Sequence, residues 1–195
     1  MGCFVLSGTC YYELLGLKEF FLSIGEQVVV YDDDHEIKNV VKKDDVLVFA
    51  LSDEPLLGWG RHINRIRNYY YKLPCPIIVI VPPKLRTIKI FHEFCATLPG
   101  GLTGLETVEE LQLFHNSSFS NERKHFSNAL LSIKQREILN QVAFRCSKNS
   151  PLRNGWKKND YYHCGKLLSV LGVDNLHTLS VIGFPIRNNL IHCKS

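Results

Sequence analysis

Lys157, Lys158, Asn159, Tyr162, His163 and Lys166 lie close together, and their types suit contact with a polyanion better than bond-breaking chemistry. Lysine ammonium groups neutralise phosphates, so Lys157, Lys158 and Lys166 fit a phosphate backbone. A carboxamide such as that of Asn159 can pair bidentately with an adenine edge, although a helix cap would claim the same side chain. His163 is a lone histidine, a type that is commonly structural or solvated. No Ser-His-Asp pattern, phosphate-binding loop or paired-carboxylate motif accompanies these residues, so the chain is expected not to be an enzyme and to need no cofactor.

Three short helices with tight breaks are expected to carry this group. Ser132 followed by Gln135 is a capping-box start, and Ile138, Leu139, Val142 and Ala143 recur at one-face helical spacing. A second helix is predicted to begin near Asn159, with Asn159 as its cap, to bury Tyr161, Leu167, Leu168 and Leu171, and to end at Gly172. A third starts at Asn175 and buries Leu176, Leu179 and Ile182. Gly165 weakens the second helix by about 1 kcal/mol relative to alanine. Such a bundle leaves one helix free to lie in a groove.

The order of these landmarks resembles the C-terminal DNA-binding domain of LuxR/FixJ-type bacterial transcription regulators. Leu131, Ser132, Arg136, Glu137, Ile138 and Leu139 stand for the family's opening helix; Tyr161, His163, Leu168, Leu171, Gly172, Val173, Asn175 and Leu179 stand for its recognition helix and closing turn. The resemblance implies a helix-turn-helix module whose recognition helix reads double-stranded DNA with its N-terminal residues. It fails in the middle. In place of a scaffold helix the chain reads Ser147-Lys-Asn-Ser-Pro-Leu-Arg-Asn-Gly-Trp156, which permits at most a short helix with Ser150 as cap and Pro151 in its first turn.

The first 115 residues alternate strand and helix. Strands are expected at Cys3–Leu6, Gln27–Tyr31, Asp45–Leu51 and Pro76–Val81, with a last one near Gly101 and Leu102. The run Ile77-Ile-Val-Ile-Val81 is apolar throughout, as in a strand covered on both faces. Helices are expected from Leu14 to Ile24, Glu36 to Val41, Leu56 to Leu73, Arg86 to Cys95 and Val108 to His115. Five such units make a doubly wound α/β sheet.

An α/β domain of this kind ahead of such a module resembles the receiver domain of response regulators. The resemblance is topological, because the receiver's phosphoryl chemistry is missing. Ser7, Gly8 and Thr9 follow the first strand in place of an acidic pair, and Ala50 or a neighbour falls at the acceptor position. Pro82 and Pro83 follow strand four, and Gly104 lies near the place of the lysine. Asp32-Asp33-Asp34 follows the wrong strand and is read as capping the next helix. Asp53 would be an acceptor only under a shifted alignment. The domain is therefore expected to be a pseudo-receiver with no phosphorylation site. Family receivers commonly pair through a late helix and strand, which implies dimerisation at roughly residues 86–115. The segment Ile63-Asn-Arg-Ile-Arg-Asn-Tyr-Tyr-Tyr-Lys72 has an interface-like composition, and equally suits a helix end with tyrosines on the core rim.

Charge separates the two halves. Residues 1–115 hold 11 Lys+Arg against 15 Asp+Glu, a net −4; residues 116–195 hold 12 against four, a net +8. A basic module behind an acidic one is the electrostatic footprint of a nucleic-acid binder with a separate control domain. Seven cysteines without Cys-x-x-Cys pairs favour reduced thiols over a disulfide framework, and offer no spacing for a metal site. No long apolar run or secretory leader is evident, and a cytoplasmic protein is expected.

The expected organisation is a pseudo-receiver over 1–115, a polar linker over 116–130 and a helix-turn-helix domain over 131–195. Two functions fit it. One is a DNA-binding transcription regulator acting without its own phosphorylation, as a homodimer or paired with a related regulator. The other is a protein-interaction modulator that joins another regulator and does not read DNA independently.

Overall fold

The computed structural model describes residues 2–31, 34–89, 95–101, 131–148 and 154–182, together with Glu106, Glu110 and Pro151. The chain divides into two compact units. One comprises Met1–Glu54, Arg65–Arg86 and Phe91–Arg123; the other comprises Pro55–Asn64, Thr87–Ile90 and Lys124–Ser195.

The first unit is built on a five-stranded, fully parallel sheet in the order β2-β1-β3-β4-β5. Its strands are β1 (Phe4–Gly8), β2 (Val28–Val30), β3 (Val46–Ala50), β4 (Ile77–Val81) and β5 (Ala96–Pro99). Helices α1 (Tyr11–Ser23), α2 (Asp34–Val40) and α3 (Gly60–Lys72) lie between successive strands, and a 3₁₀ turn at Pro83–Leu85 follows β4. β4 is buried at all five positions, as its unbroken apolar run predicts.

Alternation along the strands sorts side chains onto two faces. One face joins Leu6, Val48, Ala50, Ile78, Ile80 and Leu98 to Leu14, Leu17 and Phe21 of α1. On the other, Phe49 meets Tyr69 of α3 with ring centroids 5.4 Å apart. Arg65 of α3 stacks its guanidinium over Phe49 at 4.9 Å and donates a 3.2 Å hydrogen bond to the buried Ser7 hydroxyl. Of the tyrosine triplet, Tyr69 is therefore a core residue, and only Tyr71 is largely exposed.

Three boundaries differ from expectation. β5 runs over Ala96–Pro99, several residues before Gly101: the run Ala96-Thr-Leu-Pro99 has only one strongly apolar residue, and its pairing with β4 decides the matter. α3 starts at Gly60 and not at Leu56, because Gly58 adopts φ +77° and breaks the helical path. α1 starts at Tyr11, three residues ahead of its first buried leucine. The expected linker at 116–130, the helix at Val108–His115 except Glu110, Asp32, Asp33, Gly104, and residues 90–94 of the expected helix at Arg86–Cys95 lie outside the described residues; the helical turn Pro83–Leu85 comes just before that last segment.

The second unit contains α4 (Ile133–Ser147), α5 (Lys158–Leu171) and α6 (Leu176–Ile182), each packed against the other two. The capping box is present at the start of α4: Ser132 Oγ accepts from the Gln135 amide at 3.2 Å, and Gln135 Oε1 accepts from the Ser132 amide at 2.7 Å. Ile138, Leu139, Val142, Cys164, Leu167, Leu171, Leu176, Leu179 and Ile182 are buried. Gly172 closes α5 at φ +68°, a left-handed conformation in which its own amide donates to the Ser169 carbonyl and the Val173 amide to the Leu168 carbonyl. Asn175 Oδ1 accepts from the Thr178 amide at 2.8 Å and caps α6, as its position before Leu176 predicts. Among the described residues no helix is long and apolar enough to cross a membrane.

Candidate nucleic-acid interface

α5 starts two residues earlier than Asn159 would allow as a cap. Lys157 is the residue before the first turn, with extended backbone, and its amide donates to Asp160 Oδ2 at 2.9 Å. Asp160 therefore does the capping from inside the helix, and the Asn159 carboxamide is left exposed. Lys134 of α4 reaches Asp160 Oδ1 at 3.2 Å, tying the start of α5 to the start of α4. The Lys157 amide and then the Lys134 ammonium hold the Asp160 carboxyl below the usual carboxylate range.

The helix is two-sided. Cys164, Leu167 and Leu171 face inward at successive turns. Lys158, Asn159, Tyr162 and Lys166 are exposed, and spacings of three and four residues place them along one side. Lys157 is exposed just before them, and His163 is half-buried beside Tyr162, with the two rings edge to face at 5.3 Å. Lys166 Nζ lies 4.7 Å from the centre of the Tyr162 ring, which holds the ammonium against the helix surface. The arrangement presents three ammonium groups, a carboxamide and a phenol along the exposed side of one helix.

Tyr161 is not the core residue that the spacing predicts. It is 46% exposed and packs edge-on against Trp156 at 5.5 Å, while Cys164 takes the inward position. Cysteine behaves as a small hydrophobe when buried, a signal that a leucine-based periodicity passes over. Trp156 in turn donates from Nε1 to Gln141 Oε1 at 3.2 Å, so the residues before α5 are pinned to α4. Asn154 and Gly155, in the place of the family's scaffold helix, form a turn with Gly155 at φ +76°; Ser150, Leu152 and Arg153 lie outside the described residues.

The carboxyl edge of the sheet is where a receiver would carry its phosphoryl chemistry. A Cβ added at Gly8 would collide with the carbonyl and Cβ of Ala50, so position 8 has no room for a side chain. With β5 ending at Pro99, the residues that follow are Gly100 and Gly101, and a Cβ at Gly100 would run into the Ser52 side chain. Ser52 is itself engaged: its hydroxyl donates to Glu13 Oε1 at 2.6 Å and its amide to Glu13 Oε2 at 3.4 Å. Asp53 is exposed in the turn beyond. Among the described residues no group of three or more His, Cys, Asp and Glu is placed to hold a metal ion.

No family model matches the chain, and no curated protein matches it. Three solved structures are similar to it over most of their lengths. Full-length FixJ from B. japonicum is 11% identical, with a TM-score of 0.45 over 92% of this chain and 95% of that one. RcsB from Salmonella enterica serovar Typhimurium, bound to promoter rprA in the presence of the phosphomimetic BeF3-, is 18% identical, with a TM-score of 0.44 over 91% and 96%. The response regulator StyR is 14% identical, with a TM-score of 0.40 over 93% and 98%.

Proposed function

We propose that this chain is a DNA-binding transcription regulator of the LuxR/FixJ type that acts in the cytoplasm without phosphorylation of its receiver-like unit, as a homodimer or with a related regulator. The observation that carries the reading is the exposed side of α5. Lys158, Asn159, Tyr162 and Lys166 line it, Lys157 precedes it, and the opposite side is buried against α4 and α6. A helix anchored on one side and cationic on the other can enter a major groove with its first turns. In this reading Lys157, Lys158 and Lys166 contact phosphates, Asn159 is free to meet a base edge because Asp160 does the capping, and Tyr162 and His163 flank it.

Independence from phosphorylation is supported by the packing at the carboxyl edge of the sheet. Among the described residues, Gly8, Ala50 and Gly100 put neither an acceptor carboxylate nor a lysine at the strand ends, and Ser52 is occupied by Glu13. Phosphoryl transfer needs several oxygen ligands and a cation converging on one pocket.

The test is retardation of promoter DNA by the full chain across a salt series. The wild type should bind, with affinity falling as salt rises, and charge reversal at Lys157 and Lys158 should flatten the log–log slope by about one unit for each phosphate no longer neutralised. Reversal of the exposed Lys42 and Lys43 is the control. Equal weakening from the two pairs would remove α5 as the reading helix. Retardation only in the presence of a second regulator would favour the modulator.

A further inference from the structure

By residue type Asn159 is a better helix cap than Lys157, since a carboxamide oxygen accepts from the amides of the first turn whereas an ammonium group has nothing to accept with. α5 nevertheless starts at Lys158, with Lys157 before it. Two ties to α4 bracket that start. Trp156 Nε1 donates to Gln141 Oε1 at 3.2 Å on one side of Lys157, and Lys134 Nζ meets Asp160 Oδ1 at 3.2 Å on the other. Held there, with its side chain only 15% exposed, Asp160 accepts from the Lys157 amide through Oδ2 at 2.9 Å. Lys134 is itself steadied by Glu137, one turn along α4, at 3.2 Å.

We propose that Asp160 and Lys134 are positioning residues for base recognition: together they fix the start of α5 at Lys158 and keep the Asn159 carboxamide out of the cap. The inference rests on the reading of α5 as a DNA-contacting helix, and adds which residues set its sequence preference without touching a base. The two possible starts give Asn159 different work. As a cap it would turn Oδ1 back onto the amide of Tyr161 or Tyr162, and Lys158 would leave the helix with it. A carboxamide bonded to its own helix end cannot pair bidentately with an adenine edge. Within the helix, Asn159 instead stands three and seven residues before Tyr162 and Lys166, on the exposed side that they share.

The experiment has two arms, both on the full chain. Without DNA, the Cα chemical shifts of Lys158 and Asn159 should move from helical toward extended values in D160A and stay helical in D160E, which keeps an acceptor at the same place in the helix. With DNA, retardation compares a duplex selected by the wild type from a randomised pool with poly(dI-dC). D160A should lower the preference for the selected duplex about tenfold, the order of one lost bidentate contact, with binding to poly(dI-dC) little changed. In an N159A background the same substitution should cost no further preference. K134A should lower the preference about two- to fivefold, because the carboxylate is no longer held. K134E/D160K restores an ion pair between the helices but no acceptor for the Lys157 amide, and should remain as unselective as D160A. Helical shifts retained in D160A, additive losses from D160A and N159A, an indifferent K134A, or recovery in K134E/D160K would each overturn the inference. A wild type that retards neither duplex would instead overturn the reading of α5 on which it rests.

Discussion

The carboxylate of Glu13 in α1 accepts a 2.6 Å hydrogen bond from the hydroxyl of Ser52, just beyond the end of β3. The contact joins the first helix to the strand end where a receiver would carry its acceptor, and it has a pH signature. Burial raises the Glu13 carboxyl above its ordinary value of 4.5, the hydrogen bonds from Ser52 oppose the rise, and the nearby charge of Asp53 adds to it. A group whose folded pKa is raised contributes stability below the unfolded value and loses it as pH climbs through the folded value.

Glu13→Gln keeps a carbonyl that can accept from Ser52 and removes the titration. The variant should therefore be more stable than the wild type at neutral pH, with the difference closing as pH falls below the ordinary glutamate range. Thermal melts over a pH series measure this, and a Gln variant less stable at pH 7 than at pH 4 by the same margin as wild type would contradict it.

Ser132→Ala removes the hydroxyl that accepts from the Gln135 amide at the start of α4. The destabilisation should be about 1 kcal/mol, the usual cost of removing an N-cap serine, measured by urea denaturation. Ser132→Asp should cost far less, because aspartate is an equally good cap.

Gly165 sits on the exposed side of α5, and a Cβ there would meet nothing within 4 Å. Gly165→Ala should therefore stabilise the helix by about 1 kcal/mol. If α5 enters a groove, the same methyl group would stand between the helix backbone and the DNA. Stability should then rise while affinity for DNA stays level or falls, and measuring both on one variant separates folding from contact.

Patterns that are local in the chain are legible in the sequence. The apolar run at Ile77–Val81 announces a buried parallel strand, Ser132 with Gln135 announces a helix start, and Gly172 its end. Each depends on neighbours within a few residues, where backbone hydrogen bonding and periodicity act directly. Expectation fails where a distant partner decides. Ala96–Pro99 is a strand because β4 offers it unpaired backbone groups, and of the two readings open for the tyrosine triplet, Phe49 of β3 beneath Tyr69 decides for the core.

The same division holds for the candidate interface. Residue types alone single out Lys157, Lys158, Asn159, Tyr162, His163 and Lys166 as candidates for polyanion contact, because charge and hydrogen-bonding capacity belong to the side chain wherever it stands. Which of them share a surface is decided by packing: Cys164 turns inward in place of Tyr161, and Asp160, held by Lys134, takes over the cap and leaves Asn159 exposed. Chemical capacity is written into each residue, whereas direction comes from burying one side of the helix against α4 and α6, and that requires the folded chain.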